Sequence, residues 1–389
     1  MTQQSDLATI REAITTVDQE LLQLLAKRRE LSLAVAQDKI KTMKPVRDKA
    51  REQSLLQNLV QKGQAMSLDP TYVTQIFHTI IDDSVRFQQD YIRQITQPTD
   101  QAPMAKVAFL GAKGSYSHLA ARRYFQRQNT DVLEISCDHF KGIIEQVESG
   151  QADFGVLPIE NTSSGSINEV YDQLQHTSLS IVGELTLAIE HAILTAVETE
   201  LSQIDTLYSH PQPHQQCSEF IHSLGSIQLA TTASTAEAMQ VVRDLASPTK
   251  AAIGNATSGA MYGLTAIASG IANQTENFTR FIVVARQSID VTPLIPSKTT
   301  LIMSTSQQPG ALADALVVLK NHHINMTKLE SRPVMGNPWE ELFYLDVLAN
   351  ANTPEMQSAL SDLKKITRFI KVLGCYPLDH VAPTPVDGV

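Results

Sequence analysis

Apolar residues recur through the first forty positions at alternating steps of three and four: Leu7, Ile10, Ile14, Val17, Leu21, Leu24, then Leu31 and Val35. Ser5 to Thr42 holds neither Gly nor Pro, so the pattern predicts one helix of roughly ten turns carrying a heptad seam. One slot of the seam holds Arg28 instead of an apolar residue, and Lys39 further along points almost the same way. After Pro45, Asp48 is placed to cap a second helix with the stripe Leu55, Leu56, Leu59 and Val60. The same stripe extends back to Glu52 and Asp48, and Gly63 is expected to end the helix. Asp69-Pro70 opens a third helix, whose stripe Val73, Phe77, Ile80, Ser84, Gln88, Tyr91 and Ile95 has polar gaps at Ser84 and Gln88.

Beyond this helical module (1–95), a polar stretch with two prolines (96–105) reads as a linker. Over 106–286 short apolar runs alternate with helical segments, which predicts an α/β domain of parallel sheets covered by helices. Ile181 to Thr195 resembles a long connecting pair of strands, so two lobes are expected. Residues 298–377 follow a β-α-β-β-α-β order, the ferredoxin-like α+β arrangement, and the Pro-rich 378–389 reads as a disordered tail.

Composition narrows the function classes. With 389 residues, 42% hydrophobic and 19% charged, the chain has the make-up of a soluble multidomain protein. A net charge of −10 argues against nucleic acid and against an anionic membrane as partner. No apolar run approaches a membrane span, and the polar, acidic start is unlike a secretion signal. Three scattered cysteines, Cys137, Cys217 and Cys375, predict a reduced cytoplasmic protein without a cysteine metal site.

The polar interruptions of the three helices then become informative. Arg28, Lys39, Asp48, Arg51, Glu52, Ser84 and Gln88 together describe a cation-rich pocket, and buried polar groups require partners. Cations with fork geometry suit a carboxylate-bearing ligand. Arg11 lies about 25 Å along the axis from Arg28, too far to share its pocket within one chain. In an antiparallel dimer of the long helix it could reach the partner's pocket, and a helix of this length needs a partner for its seam.

Ile10-Arg11-Glu12 through Arg28-Arg29-Glu30-Leu31, Pro45-Val46-Arg47-Asp48, Arg51-Glu52, Asp83-Ser84 and Gln88 resemble the all-helical chorismate mutase family. That resemblance implies a pericyclic rearrangement of chorismate to prephenate. Arg28 and the partner protomer's copy of Arg11 would hold the two carboxylates. Lys39 and Gln88 would donate to the ether oxygen, Glu52 and Asp48 would orient the ring hydroxyl and nearby cations, and Arg51 and Ser84 would complete the wall. A reaction of this kind needs a compact conformer and charge stabilised at one oxygen.

In the second module, polar loops fall where strands are expected to end, the usual ligand position in such sheets. Gly111-x-x-Gly114 is neither a Walker loop nor a dinucleotide fingerprint, so ATP and NAD are unsupported; no other cofactor and no metal is expected. Alternation sends Thr279 and Phe281 to one face of their strand. Gly111-x-x-Gly114-Ser115-Tyr116-Ser117, Pro158-Ile159-Glu160-Asn161-Thr162, Tyr208-Ser209-His210-Pro211-Gln212 and Asn277-x-Thr279-Arg280-Phe281 together are similar to prephenate dehydratase. The resemblance implies loss of carbon dioxide and hydroxide from prephenate, with Thr279 donating to the departing hydroxyl. Glu160, Asn161, Ser164, Ser209, His210 and Gln216 would line the cleft, and Arg280 would meet a carboxylate.

In the third module, Gly310, Ala311 and Leu312 before a helix, and Glu330-Ser331-Arg332-Pro333, resemble the phenylalanine-sensing ACT regulatory domain. The combined resemblance is to the bifunctional chorismate mutase/prephenate dehydratase family. It implies chorismate and prephenate as substrates, L-phenylalanine as feedback effector, and a homodimer through the N-terminal helix with higher assembly left open. A non-catalytic amino-acid sensor is the other reading of a two-lobed cleft, and the polar seam residues count against it.

Overall fold

The computed structural model describes residues 7–96, 104–274, 276–334 and 340–379; most of the expected linker and tail lies outside them. The described residues fall into two compact units. One comprises 7–96 together with 291–296, and the other 104–290 with 297–379. The third module expected from the sequence is therefore grouped with the second.

The helical unit contains α1 (Leu7–Thr42), α2 (Lys49–Ala65) and α3 (Pro70–Thr96). Asp48 caps α2 by accepting from Arg51 N at 3.0 Å, as its position before the apolar stripe predicts. Gly63 does not end α2; the helix runs on to Ala65. The glycine serves packing, because a Cβ there would lie 2.7 Å from Val73 Cγ2 of α3. Residues of α1 are buried only toward its C-terminal end, at Ser32 and Ala36. The apolar seam before that is open, with Leu7, Ile14 and Leu24 at 58%, 55% and 64% exposed. Val46 N donates to Leu294 O at 2.9 Å, which ties 291–296 to this unit.

The second unit begins with β1 (Met104–Leu110), α4 (Tyr116–Gln126), β2 (Asp131–Cys137), α5 (Phe140–Glu148), β3 (Phe154–Asn161), β4 (Gly165–Ser166), α6 (Asn168–His176) and β5 (Ser180–Ala188). It continues through β6 (Ala192–Thr195), β7 (Thr206–Ser209), α7 (Pro211–Gln216), α8 (Ser218–Ser223), β8 (Gln228–Thr231), α9 (Thr235–Leu245), β9 (Lys250–Gly254) and α10 (Ala256–Met261). β10 (Thr265–Ser269) and β11 (Phe278–Ala285) complete two lobes. The first lobe has the strand order β2-β1-β3-β11-β5, and the second β10-β6-β9-β7-β8. The chain crosses between lobes twice, after β5 and before β11, and the crossings meet where Ile189 N donates to Asn277 O at 2.7 Å. The two lobes and crossing strands predicted from the pattern are present, but the sheets are mixed rather than parallel, because β11 returns antiparallel to β3 and β5, and β6 runs antiparallel to β9 and β10.

The remaining elements are β12 (Ser297–Thr305), α11 (Ala311–Asn321), β13 (Met326–Pro333), β14 (Glu341–Val347), α12 (Pro354–Ile366) and β15 (Thr367–Pro377). They form an antiparallel sheet of order β13-β14-β12-β15 with two helices, the ferredoxin-like order read from the sequence. One continuous core joins this sheet to the first lobe: Ile143, Ile159, Tyr171, Leu174, Ile181 and Ile282 pack with Ile302, Tyr344, Leu373 and Tyr376. The approach is closest at Gly374, where a Cβ would overlap the Ile181 carbonyl oxygen. A shared core explains why these modules form one unit.

Candidate active sites

In the helical unit, every residue expected in the cationic pocket except Arg11 lines a single cavity of about 210 Å³. The heptad slot occupied by Arg28 faces α3. Its Nη1 donates to Ile80 O at 3.0 Å and to the Ser84 hydroxyl. Lys39 Nζ donates to Val46 O and, at 3.2 Å, to Gln88 Oε1. Leu31, Val35, Ile81 and Val85 supply the apolar part of the wall.

The neighbouring cations behave differently. Arg29 forms a two-pronged pair with Asp83, at 3.0 Å from Nε and 2.8 Å from Nη2. Arg47 Nε donates to Glu52 Oε2 at 3.0 Å, with the Arg47 side chain buried and that of Glu52 nearly so. Arg28 and Lys39 make no ion pair among the described residues; their printed acceptors are a hydroxyl, an amide oxygen and backbone carbonyls. Burial lowers the Arg28 pKa, with Asp83 acting the other way. Burial also lowers the Lys39 pKa, and the nearby Arg51 charge adds to it, against the pull of Asp48 and Glu52. Such a pocket holds positive charge on Arg28 and Lys39 that no carboxylate among the described residues neutralises by direct contact. Arg11 is exposed on α1 and stands apart from it.

Arg47 does not line the cavity but holds Glu52, which does, a role that the sequence reading did not assign to it. It lies in an irregular segment between helices, where periodicity gives no signal about what its side chain meets.

In the second unit, strand register sets Thr279 opposite Asn161. Asn161 Nδ2 lies 2.9 Å from Thr279 Oγ1, 2.7 Å from Asn277 Oδ1 and 3.1 Å from Phe278 O. Its Oδ1 accepts from Ser163 N and Ser164 N, each at 2.9 Å, and from Ser164 Oγ at 3.1 Å. The Asn161 amide thus fastens the polar loop after β3 to Thr279, which is 8% exposed. A cavity of about 200 Å³ beside them is lined by Ser163 from one lobe, Gln216 from the other, and Asn273, Gln274 and Asn277 from the return crossing.

Two further histidines brace this cleft, neither singled out by the sequence. His191, on the first crossing, has Nε2 at 2.9 Å from Gln216 Oε1 and Nδ1 at 3.2 Å from Tyr116 OH. Burial lowers its pKa, which favours the neutral ring. His118 receives Gly114 N on Nδ1 at 3.0 Å and meets Glu134 through Nε2 at 2.9 Å, pinning the Gly111–Ser115 loop. Both contacts join residues brought together by the sheet, so no local motif announces them.

The expected residues are not all in one place. His210 caps α7, its Nδ1 accepting from Gln212 N at 3.3 Å, and Ser209 Oγ donates to His210 O at 2.9 Å. Glu160 and Arg280 were expected in the cleft, but each precedes or follows a cleft residue by one position and so faces the other side of the sheet. There Arg280 Nη1 meets Glu160 Oε1 at 2.7 Å. Among the expected effector residues, Glu330 accepts from Ser166 Oγ at 2.5 Å and Arg332 grips Asp172 at 3.1 and 2.9 Å. Both side chains are engaged with the first lobe. Gly310 has the left-handed φ of +86° and leads into α11. Among the described residues no cluster of His, Cys, Asp and Glu could hold a metal ion, and no helix is long and apolar enough to cross a membrane.

The chorismate mutase type II family pattern matches residues 10–89, and the prephenate dehydratase pattern matches 107–289. The bifunctional chorismate mutase/prephenate dehydratase of Escherichia coli (strain K12) is 52% identical over 383 residues, covering 98% of this chain and 99% of the relative. The protein of the same name from Aquifex aeolicus is 29% identical, covering 96% and 98%. Among solved structures, the prephenate dehydratase of Arthrobacter aurescens in complex with L-Phe aligns with a TM-score of 0.65 at 26% identity, covering 72% of this chain and 92% of that one.

Proposed function

Because the chain belongs to the bifunctional chorismate mutase/prephenate dehydratase family, we propose which of its residues carry each step. The enzyme rearranges chorismate to prephenate, then decarboxylates and dehydrates prephenate to phenylpyruvate in phenylalanine biosynthesis.

The first step takes place in the cavity of the helical unit. One observation carries this assignment: Arg28 and Lys39 face a cavity without a carboxylate in direct contact, while Arg29 and Arg47 beside them are neutralised. A dianionic substrate supplies the missing charge. Arg28 grips a carboxylate, with Ser84 fixing the guanidinium. Lys39 and Gln88 donate to the ether oxygen as the C–O bond breaks, and the Lys39 contact to Gln88 Oε1 turns the amide NH2 of Gln88 toward that oxygen. Glu52, locked by Arg47, and Asp48 orient the ring hydroxyl, and Arg51 closes the wall.

The pH dependence follows from Lys39. Its pKa lies below that of a free lysine, so the cation is lost at lower pH than usual. The mutase kcat/KM, which reports the free enzyme, is expected to fall on an alkaline limb centred below the ~10.4 of an unperturbed lysine. Lys39→Arg is expected to remove that limb even where the rate is reduced. A profile flat through that range in the unsubstituted enzyme would contradict the assignment.

Arg11 completes the site from a second protomer. The exposed Leu7–Leu24 seam supports a homodimer through α1, since that much apolar surface on a long helix requires cover. Arg11→Ala and Lys39→Ala proteins should each be inactive as mutases. Mixed and allowed to exchange subunits, they should recover about one quarter of the wild-type rate, because a mixed dimer holds one intact site. Absence of recovery in demonstrably mixed dimers places Arg11 outside the partner's site.

The second step takes place between the lobes. Asn161, Ser164 and Gln216 hold prephenate and Thr279 hydrogen-bonds the departing hydroxyl, with Ser209 and His210 shaping the second lobe's wall. Glu160 and Arg280 support the site from behind. The 298–377 region acts as an ACT domain that senses phenylalanine for feedback inhibition through Gly310–Leu312 and the Glu330–Pro333 strand. Support comes from the ferredoxin-like topology and from the L-Phe complex of the Arthrobacter aurescens relative. Free, widely separated cysteines agree with a cytoplasmic enzyme. A two-stage assay, chorismate to prephenate to phenylpyruvate with and without phenylalanine, tests the whole assignment.

A further inference from the structure

Behind the dehydratase site lies a compact ionic cluster built from two domains. Arg280 is its centre: Nη1 donates to Glu160 Oε1 at 2.7 Å and Nη2 to Tyr376 OH at 3.3 Å, while Nε at 3.0 Å from Glu184 Oε2 and Nη2 at 2.6 Å from Asp346 Oδ2 are ion pairs without hydrogen-bond alignment. The side chains of Arg280, Glu184 and Asp346 are only 11%, 5% and 5% exposed. The C-terminal sheet closes the cluster: Lys298 Nζ reaches Glu184 Oε2 at 2.7 Å, and Lys328 pairs with Glu160. Asp346 Oδ1 accepts from Thr300 Oγ1 at 2.6 Å. Arg280, Lys298 and Lys328 thus meet Glu160, Glu184 and Asp346, with Glu330 a fourth carboxylate 3.8 Å from Lys328.

Buried ion clusters of this kind contribute little net stability, and apolar side chains of like size often serve as well. What this one does supply is a fixed place for the guanidinium, held between carboxylates on three sides. Thr279 and Arg280 are adjacent on β11, Asn161 and Glu160 are adjacent on β3, and the register pairs Thr279 with Asn161 and Arg280 with Glu160. Each cleft residue therefore shares its peptide unit with an anchored residue on the opposite face.

We infer that Asp346, in the C-terminal domain, is a positioning residue for the dehydratase reaction: by fixing Arg280 it sets the aim of the Thr279 hydroxyl. This rests on the assignment of Thr279 to the departing hydroxyl. Asp346 touches no substrate, and its effect is confined to the turnover of bound prephenate.

The test uses the full-length enzyme with supplied prephenate. Asp346→Asn is expected to lower kcat by about tenfold to a hundredfold, the cost of a displacement of order 1 Å, with KM within about twofold and mutase activity unchanged. Thr300→Val, which frees Asp346 without altering charge, should lower kcat in the same direction by less. In a Thr279→Ala background, Asp346→Asn should have no further effect, because the group it aims is gone. Three outcomes overturn the inference: an unchanged kcat in folded Asp346→Asn and Thr300→Val proteins, a multiplicative loss in the double variant, or restoration of kcat in Asp346→Asn by Lys298→Met, which assigns the effect to charge balance. Should Thr279→Ala itself retain wild-type kcat, the fault lies with the Thr279 assignment instead.

Discussion

Replacing Lys39 by alanine is expected to lower the mutase kcat/KM by about 10²–10³-fold, the usual cost of one donor aimed at a developing negative charge. Dehydration of supplied prephenate should be unchanged. The pericyclic step offers the protein no covalent chemistry, so catalysis must come from holding a compact conformer and stabilising charge on the ether oxygen. Lys39 is suited to that oxygen because, among the described residues, its ammonium is anchored by neutral acceptors, Val46 O and Gln88 Oε1. It can turn one hydrogen toward a ligand without breaking an ion pair. Lys39→Gln should recover part of the loss, since it keeps a donor and gives up the charge. The measurement is the decline of chorismate absorbance, with phenylpyruvate formation from prephenate followed on the same preparation. Parallel loss of both activities would mean a shared site or a misfolded protein.

The outline of this pocket was legible in the sequence because helices report their faces through spacing. Arg28 in a heptad slot, and Ser84 and Gln88 in the stripe of α3, announce polar groups where apolar ones are due. What spacing could not tell was which cations are already neutralised. Arg28 and Arg29 are neighbours in sequence, yet one faces the cavity and the other is held by Asp83 more than fifty residues away. The open seam from Leu7 to Leu24 was read as a packing surface, and within one chain nothing in the described residues of the helical unit covers it.

In the second unit, alternation was sound for Thr279 and Phe281, but it also decides against Arg280 and Glu160, which the motif match had drawn into the cleft. Beyond each other, Arg280 meets Glu184 on β5 and Asp346 on β14, and Glu160 meets Lys328 on β13, all distant in sequence. No local pattern encodes that the C-terminal sheet docks on the first lobe. His118 and His191 escaped notice for the same reason: each reads as an ordinary residue until the sheet brings Glu134 or Gln216 to its ring. Residues that act by being aimed are visible in motifs, whereas residues that do the aiming are visible only in the fold.

Thr279→Ala should have the converse effect to Lys39→Ala, lowering dehydratase kcat by about 10²–10³-fold while mutase activity stays intact. The geometry around its oxygen gives the reason. A hydroxyl has one hydrogen to donate and two lone pairs, and the Asn161 amide already occupies a lone pair at 2.9 Å. The hydrogen is left for another acceptor, and the hydroxyl leaving prephenate is the group that gains negative charge as carbon dioxide departs. A threonine is too weak an acid to surrender that proton outright, so its contribution is a positioned hydrogen bond. Thr279→Ser should accordingly keep most of the rate and Thr279→Val should resemble alanine, because shape without the donor is not enough. Near wild-type turnover in the valine variant would show that the departing oxygen is served by another group, and the histidine already touching Gln216 would then be the first residue to examine.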